Sequence, residues 1–226
     1  MILNNHTAEE IKQFNQPEDS ALHNDFRSLV EGGWQNVHPT VRARMDRLLT
    51  SPSATVFRGT GCVRRSLIGG VFAHLSRLLG APLVWKQGEN VTTTVSVEPT
   101  RNGLRCWHRQ FTFPDGSNQL VQTTKVVTKD QGLMDAVGAQ GEKMLHTKMR
   151  IWTEGKSLCF ESTGYFLRFL SFNMPVPSIL TPGKLFAEHR DEGDGKFRYI
   201  MAFNHPIWGE TFYQDGIFEL IETAQA

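Results

Sequence analysis

The sequence is poor in the features that usually announce a site. It has only three cysteines, Cys62, Cys106 and Cys159. They are odd in number, far apart and include no Cys-x-x-Cys pair, which points away from a disulfide framework and from a thiolate zinc site and leaves them as small core residues. The eight histidines are scattered, with no His-x-x-x-His or His-Glu-x-x-His arrangement, so no metal and no cofactor is expected. An excess of charge of either sign is also lacking: 24 Lys and Arg stand against 23 Asp and Glu, a formal net charge of +1. Such a chain lacks the field of a dedicated nucleic-acid binder. No apolar run reaches the roughly 18 residues of a membrane-spanning helix. The opening MILNNHTAEEIKQF has no basic segment followed by an apolar one, and the expectation is a cytoplasmic protein without a transmembrane segment.

Three familiar motifs begin and break off. Gly59-Thr60-Gly61 opens a Gly-x-Gly-x-x-Gly pattern, but Arg64 occupies the third glycine position and no βαβ series follows, so a dinucleotide site is rejected. Gly155-Lys156-Ser157 ends like a phosphate-binding loop, yet position 150 is arginine and the next segment is a strand by pattern. No Gly-x-Ser-x-Gly elbow occurs, which leaves a hydrolase triad without an anchor.

What is abundant is aromatic and turn-forming: 15 Phe, 5 Trp and 20 Gly. Thr7 with Glu10 is a capping box for a short helix that Pro17 ends, so residues 1–20 read as an arm and 21–226 as a single domain. From Ser20, the spacing of Leu22, Phe26, Leu29 and Val30 predicts a second helix, stopped at Gly32-Gly33. A third starts at Pro39, buries Val41, Met45, Leu48 and Leu49, and ends at Ser51-Pro52-Ser53. A strand is expected over Thr55 to Arg65. It is followed by a helix whose apolar face is Ile68, Val71, Phe72, Leu75, Leu78 and Leu79, closed by Gly80 and Pro82.

From residue 90 the hydrophobic period changes to two. Counting the strand before the long helix gives about nine, mostly in sequence-adjacent hairpins with turns such as Pro114-Asp115-Gly116. The fold class is α+β and β-dominant: a curved antiparallel meander or barrel, lipocalin-like in general shape, with N-terminal helices and one helix after the first strand. One stretch departs from this order. Residues 165–180, YFLRFLSFNMPVPSIL, are apolar at nearly every position, and read as a buried crossover, a lid over a ligand cavity, or a surface that docks a partner or membrane.

The segment richest in chemistry is Cys106-Trp107-His108-Arg109-Gln110-Phe111. Alternation puts Trp107, Arg109 and Phe111 on one face. If that face is the inner one, a guanidinium points into an aromatic interior and requires a carboxylate, carbonyls or an anionic ligand group. Arg58 and Arg64 are candidates for the same interior, and Glu161 for the counter-ion. A purely structural role, with Arg109 paired to Glu161 or stacked on Trp107, stands beside the binding one. In the binding reading Arg109 fixes the anionic end of an apolar ligand, while Trp107, Phe111, Phe160, Phe203 and Tyr213 line the cavity. In the run Asn204 to Tyr213, Pro206 and Gly209 suit a hairpin corner, and His205 and Tyr213 are candidates for polar groups at the cavity mouth.

Taken in order, these motifs resemble a bacterial family known as domain of unknown function 4166. The resemblance runs from about His38 to Leu220: HPTVRARM, RGTGCV, the helix ending in Leu-Leu-Gly-x-Pro, WHRQF, PVP, and HPIWGETFYQDG. Gly59, Gly61, Trp107, Arg109, Phe111, Pro206, Gly209 and Tyr213 match its motif positions, while Gln214-Asp215 before Gly216 departs from them. Members occurring alone or fused to oxidoreductase-like or membrane segments imply an accessory or binding role, with no activity to carry over.

The resulting expectation is a non-enzymatic binding domain for a small, partly apolar anionic ligand, with Arg58, Trp107, Arg109, Phe111, Glu161, His205 and Tyr213 as site residues. Two alternatives stay open. One is a hydrolase or isomerase on a lipid-like substrate, with His205, Tyr213 or Glu161 in acid-base roles. The other is an interaction module that docks an oxidoreductase-type partner through residues 165–180.

Overall fold

Alternating strands joined by short turns pair with their chain neighbours, and here they do so until the sheet meets itself. A computed structural model describes residues 23–78, 83–137, 145–169 and 172–223; the expected arm 1–20 and the Gly80–Pro82 helix stop lie outside them. The strands are β1 (Thr55–Arg65), β2 (Gly88–Pro99), β3 (Arg105–Thr112), β4 (Asn118–Thr128), β5 (Gly132–Val137), β6 (Leu145–Glu154), β7 (Ser157–Phe169), β8 (Phe172–Pro175), β9 (Lys184–Gly193), β10 (Lys196–His205) and β11 (Gly209–Thr223). All pairings are antiparallel, and β1 pairs with both β2 and β11 while β7 pairs with both β6 and β9. The ring therefore closes through ten strands, with β8 outside it on β7. Closure leaves no exposed edge in the ring. The two strands beyond the expected nine are β5 and β8.

Glycines set the tightest corner. Gly59 and Gly61 on β1 face Phe218 and Gly216 on β11. A Cβ on Gly59 would stand 2.4 Å from the Ile217 carbonyl oxygen and against the Phe218 ring, and one on Gly61 only 1.9 Å from the Asp215 carbonyl oxygen. The Arg-Gly-Thr-Gly motif is thus a site of close strand approach, as glycine within a strand often is.

One end of the barrel is plugged. Helix α1 (Pro39–Thr50) has proline at its start and buries Val41, Met45 and Leu48, as its sequence spacing predicts. The segment before it is not the expected helix. It runs as a strap with 3-10 turns at Arg27–Leu29 and Trp34–Asn36, bridging to β4 through His23 and Val127 and to β6 through Glu31 and Trp152. Of the four residues that suggested a helix, Phe26 and Val30 are buried within the core, Phe26 edge-on to Phe160, Leu29 is exposed, and Leu22 lies outside the described residues. Tertiary burial decided this segment's conformation over local periodicity.

The other end holds helix α2 (Leu67–Leu78), and its orientation corrects the sequence reading. Its buried face is Gly69, Gly70, Ala73 and Ser76, whereas Leu67, Val71 and Leu75 are exposed. Small residues let the helix approach β11 closely: a Cβ on Gly69 would lie 1.9 Å from the Thr211 carbonyl oxygen. The Ser66 hydroxyl accepts the Gly69 N–H at 3.1 Å and caps the first turn. Among the described residues, no helix is long and apolar enough to cross a membrane.

Candidate functional site

Alternation carries every second side chain of each strand into the barrel. From β3 come Trp107, Arg109 and Phe111, from β4 Val121, Thr123 and Lys125, from β5 Asp135 and Val137. His189 on β9, Tyr199 on β10 and Gln214 on β11 complete the polar part of the wall. They surround an inner cavity of about 90 Å³. A further void of about 30 Å³ lies toward the plugged end, where Arg44 of α1 enters beside Phe57, Phe197 and Phe218. Aromatic rings dominate between these groups, so a polar atom here has few ways to be satisfied.

The electrostatics of the cluster follow from the register. Lys125 and Asp135 are direct cross-strand partners on β4 and β5. Their charged atoms stand 3.4 Å apart, with side chains only 11% and 13% exposed. Arg109 donates to the Thr123 hydroxyl at 3.1 Å and lies 5.7 Å from the Trp107 ring centre. The Lys125 ammonium is 5.5 Å from the same ring and 5.4 Å from that of Phe160. Arg44 stacks 3.7 Å over Phe197. Three cations thus line the two voids with Asp135 the one carboxylate on their walls, while Asp191 acts on Arg44 from the plugged end, leaving a surplus of positive charge around Arg109 and Lys125 in a place where charge is costly.

Burial first, and the neighbouring charges after it, set the proton affinities here. Burial pulls the Lys125 ammonium below its ordinary range; Asp135 works against the fall and Arg109 adds to it. His189, opposite Tyr199 with ring centres 4.8 Å apart, is driven well below the usual imidazole value by burial and then by Arg44, Lys125 and Arg109. Burial also raises the Tyr199 hydroxyl. Each shift works against positive charge in this interior, or against ionisation at all. The Asp135 Oδ1, the His189 Nδ1 and the Gln214 Oε1 are buried without a protein partner.

Above this cluster, at the α2 end, lies a second and larger cavity of about 400 Å³. Its wall is apolar, from Phe72, Leu145, Leu167 and Phe203 among others, with the Tyr165 hydroxyl donating to the Gly183 carbonyl at 2.7 Å. Leu83 and Val137 border both cavities, so the polar interior and the apolar mouth adjoin along the barrel axis. The mouth falls within the range of about 300–1,000 Å³ usual for small-molecule sites.

The residues singled out by sequence are distributed unevenly. Trp107, Arg109 and Phe111 stand together in the interior with Phe160, and Phe203 lines the mouth. Arg58 is exposed on the outer face of β1, because Phe57 before it points inward. Arg64, also exposed, stacks 4.5 Å over Tyr213 outside the barrel. Tyr213 itself donates to Asp215, since its neighbours Phe212 and Gln214 take the inner positions. Glu161 faces outward and pairs with Lys184 at 2.7 Å, so the carboxylate of the interior is Asp135 and not Glu161. His205 is buried in the β10–β11 turn, its Nδ1 accepting the N–H groups of Ile207 and Trp208 at 3.1 and 3.3 Å. The ring stacks on Trp208 at 4.1 Å, which makes it a corner post. His205, Tyr213 and Glu161 do not converge.

Sequence reasoning missed Lys125, Asp135, His189 and Tyr199. The signal for Lys125 was present: extending the β3–β4 hairpin register from its turn puts Thr123 opposite Trp107 and Lys125 two residues on, facing the same way. Residues 165–180 also differ from a buried crossover. They form the end of β7, β8 and a 3-10 turn at Ser178–Leu180, with Met174, Ile179 and Leu180 exposed and Tyr165, Leu167, Val176 and Leu180 lining the mouth.

Fold and site together define a closed antiparallel barrel with a cationic interior and an apolar mouth. The family model for a domain of unknown function, DUF4166, matches residues 37–218, and the chain belongs to that family. The match takes in α1, the whole ring up to Phe218 and both cavities. No curated protein and no solved structure matches the chain.

Proposed function

We propose that this barrel binds a small, partly apolar anionic ligand, with the anion inside against Arg109 and Lys125 and the apolar part in the mouth. The observation that supports the reading most is the charge imbalance of the inner wall: Arg109, Lys125 and Arg44 outnumber Asp135 beside an accessible apolar cavity. An anion offsets the mutual repulsion of Arg109 and Lys125 and accepts charge-assisted hydrogen bonds from both. Trp107, Phe111 and Phe160 then surround the part of the ligand next to its charge. The site-residue set of the proposal is Trp107, Arg109, Phe111, Thr123, Lys125 and Asp135. Of the seven residues expected from sequence it keeps three; Arg58 is exposed on the outer face, and Glu161, His205 and Tyr213 make their contacts elsewhere.

A binding role without catalysis fits the separation of His205, Tyr213 and Glu161. A cytoplasmic setting goes with the reading, since Cys62, Cys106 and Cys159 are all free thiols, as a reducing compartment favours. Native mass spectrometry of protein purified from its own host tests the proposal. The expected result is a co-purifying anionic compound that is absent from Arg109→Gln protein of unchanged melting temperature. Wild-type protein that never carries such a compound, or an Arg109→Gln variant that retains it, contradicts the reading.

A further inference from the structure

The mouth is ringed by apolar side chains that the fold does not bury. Leu67, Val71 and Leu75 recur every four residues on the outer face of α2 and are 92%, 50% and 51% exposed. Leu180 at 66% shares the mouth wall with Leu75, and Trp208 at 42% packs against Phe72 of α2, with Ile207 beside it at 66%. Exposed large apolar residues gathered around one opening, on a helix that buries glycine and alanine instead, mark a contact surface and not a defect of packing.

Charge around this rim is one-sided. Residues 62–77, 83–88, 162–167, 174–187 and 199–209 carry all six of these side chains and contain none of the chain's 23 acidic residues, but hold Arg64, Arg65, Arg77, Lys86 and Lys184. Three acids reach in from neighbouring elements, and each is paired: Asp115 with Lys86, Glu161 with Lys184 and Asp215 with Arg198. Glu89, Glu188 and Glu210 stand just beyond the acid-free stretches. Arg77 stacks on Trp85 at 4.3 Å and borders a surface hollow with Val71, His74 and Leu75. Elsewhere on the chain acids and bases are mixed; here the acids that come near are paired, while Arg64 and Arg77 stack on aromatic rings.

We infer that this rim docks on an anionic lipid bilayer, the apolar residues entering the headgroup boundary while Arg64 and Arg77 meet phosphate. An amphipathic helix lying in the interface with cations beside its apolar face binds membranes by these two contributions together, and Trp208 is of the residue type that anchors there. Docked in this way, the apolar mouth opens toward the acyl chains. The inference rests on the rim alone and does not require the ligand proposed above.

Co-sedimentation of the full chain with phosphatidylcholine vesicles, with and without phosphatidylglycerol, tests it. Binding to the anionic vesicles is expected to exceed that to neutral ones by about fivefold or more, the worth of a single surface cation, and to weaken at high salt. The Leu67→Asp/Val71→Asp double variant is expected to lose about tenfold in partitioning while keeping its melting temperature, because both sites are exposed. Arg77→Glu is expected to reduce the preference for anionic vesicles. No binding to anionic vesicles at low salt, or binding that the double variant leaves intact, overturns the inference. So does a dimer in sedimentation velocity that the double variant dissolves without any vesicle binding, which would assign the rim to a second copy. Arg109→Gln should leave vesicle binding unchanged, so failure here and failure of the ligand reading are told apart.

Discussion

Lys125 stands at the centre of this barrel because β4 leaves it no other direction: Thr123 and Lys125 share the inner parity, and Asp135 is its register partner on β5. An isolated ammonium in this position would be costly, and one carboxylate 3.4 Å away offsets only part of that cost once Arg109 shares the cavity. His189 reports the same field through its proton. Its folded-state value lies well below the ordinary 6.5. Below that ordinary value the unfolded chain takes up a proton that the folded chain refuses. Folding stability therefore falls as pH drops below about 6.5, by up to about 1.4 kcal/mol per pH unit. His189→Phe keeps a ring against Tyr199 and removes the titration. Urea melts at about pH 7.5 and about pH 5 are expected to show the wild type losing about 2 kcal/mol more than the variant; equal losses would contradict the placement of a neutral imidazole there. Much of this site was legible. The face of Trp107, Arg109 and Phe111 followed from alternation alone. Asp135 did not, because GLMDAV is a short segment between glycines with an acid at its centre, and only its pairing with Lys125 makes an inward aspartate tenable. The outward turn of Arg58, Glu161 and Tyr213 was illegible for another reason: period two assigns faces, but not which of the two is inside.

Among the elements, α1 and β1 follow their sequences to the residue, Pro39 and Ser51 marking the limits of one and Thr55–Arg65 forming the other. The strap around Arg27–Leu29 and the rotation of α2 do not. Both departures have one cause: apolar periodicity tells which residues are apolar, and contact geometry decides which are buried. In α2 the approach to Thr211 selects the glycine face, and Leu67, Val71 and Leu75 are left outside. Gly69→Ala tests this directly. The added methyl meets the Thr211 carbonyl, so the helix must lift, with an expected loss of about 1–3 kcal/mol in a denaturant titration. Alanine favours a helix over glycine by roughly 0.5–1 kcal/mol where nothing obstructs it. A neutral or stabilising outcome would therefore mean that α2 does not sit on Thr211 as described.

At the scale of the whole molecule, the barrel is graded along its axis. The strap and α1 seal one end with Phe26, Val41, Met45 and Leu48; a polar, cationic layer follows; the apolar mouth and the exposed rim of α2 end the series. The near-neutral total of +1 conceals this separation, since cations gather inside and around the mouth while many of the acids lie on other surfaces. The general shape was readable from nine alternating segments and their turns, but closure was not, because it depends on β6 meeting β7 and β1 meeting β11, pairings between segments that no local pattern links. The central claim is that the interior layer takes the charged end of an amphipathic anion. Calorimetric titration of dodecanoate against dodecanol tests it most directly, since the two share a chain and differ in charge. The account predicts that dodecanoate binds about tenfold or more tightly than the alcohol, as one charge-assisted hydrogen bond implies, and that Arg109→Gln with Lys125→Met abolishes the difference while leaving alcohol binding in place. Equal affinities for the two in the wild type, or a preference that survives both substitutions, would contradict it.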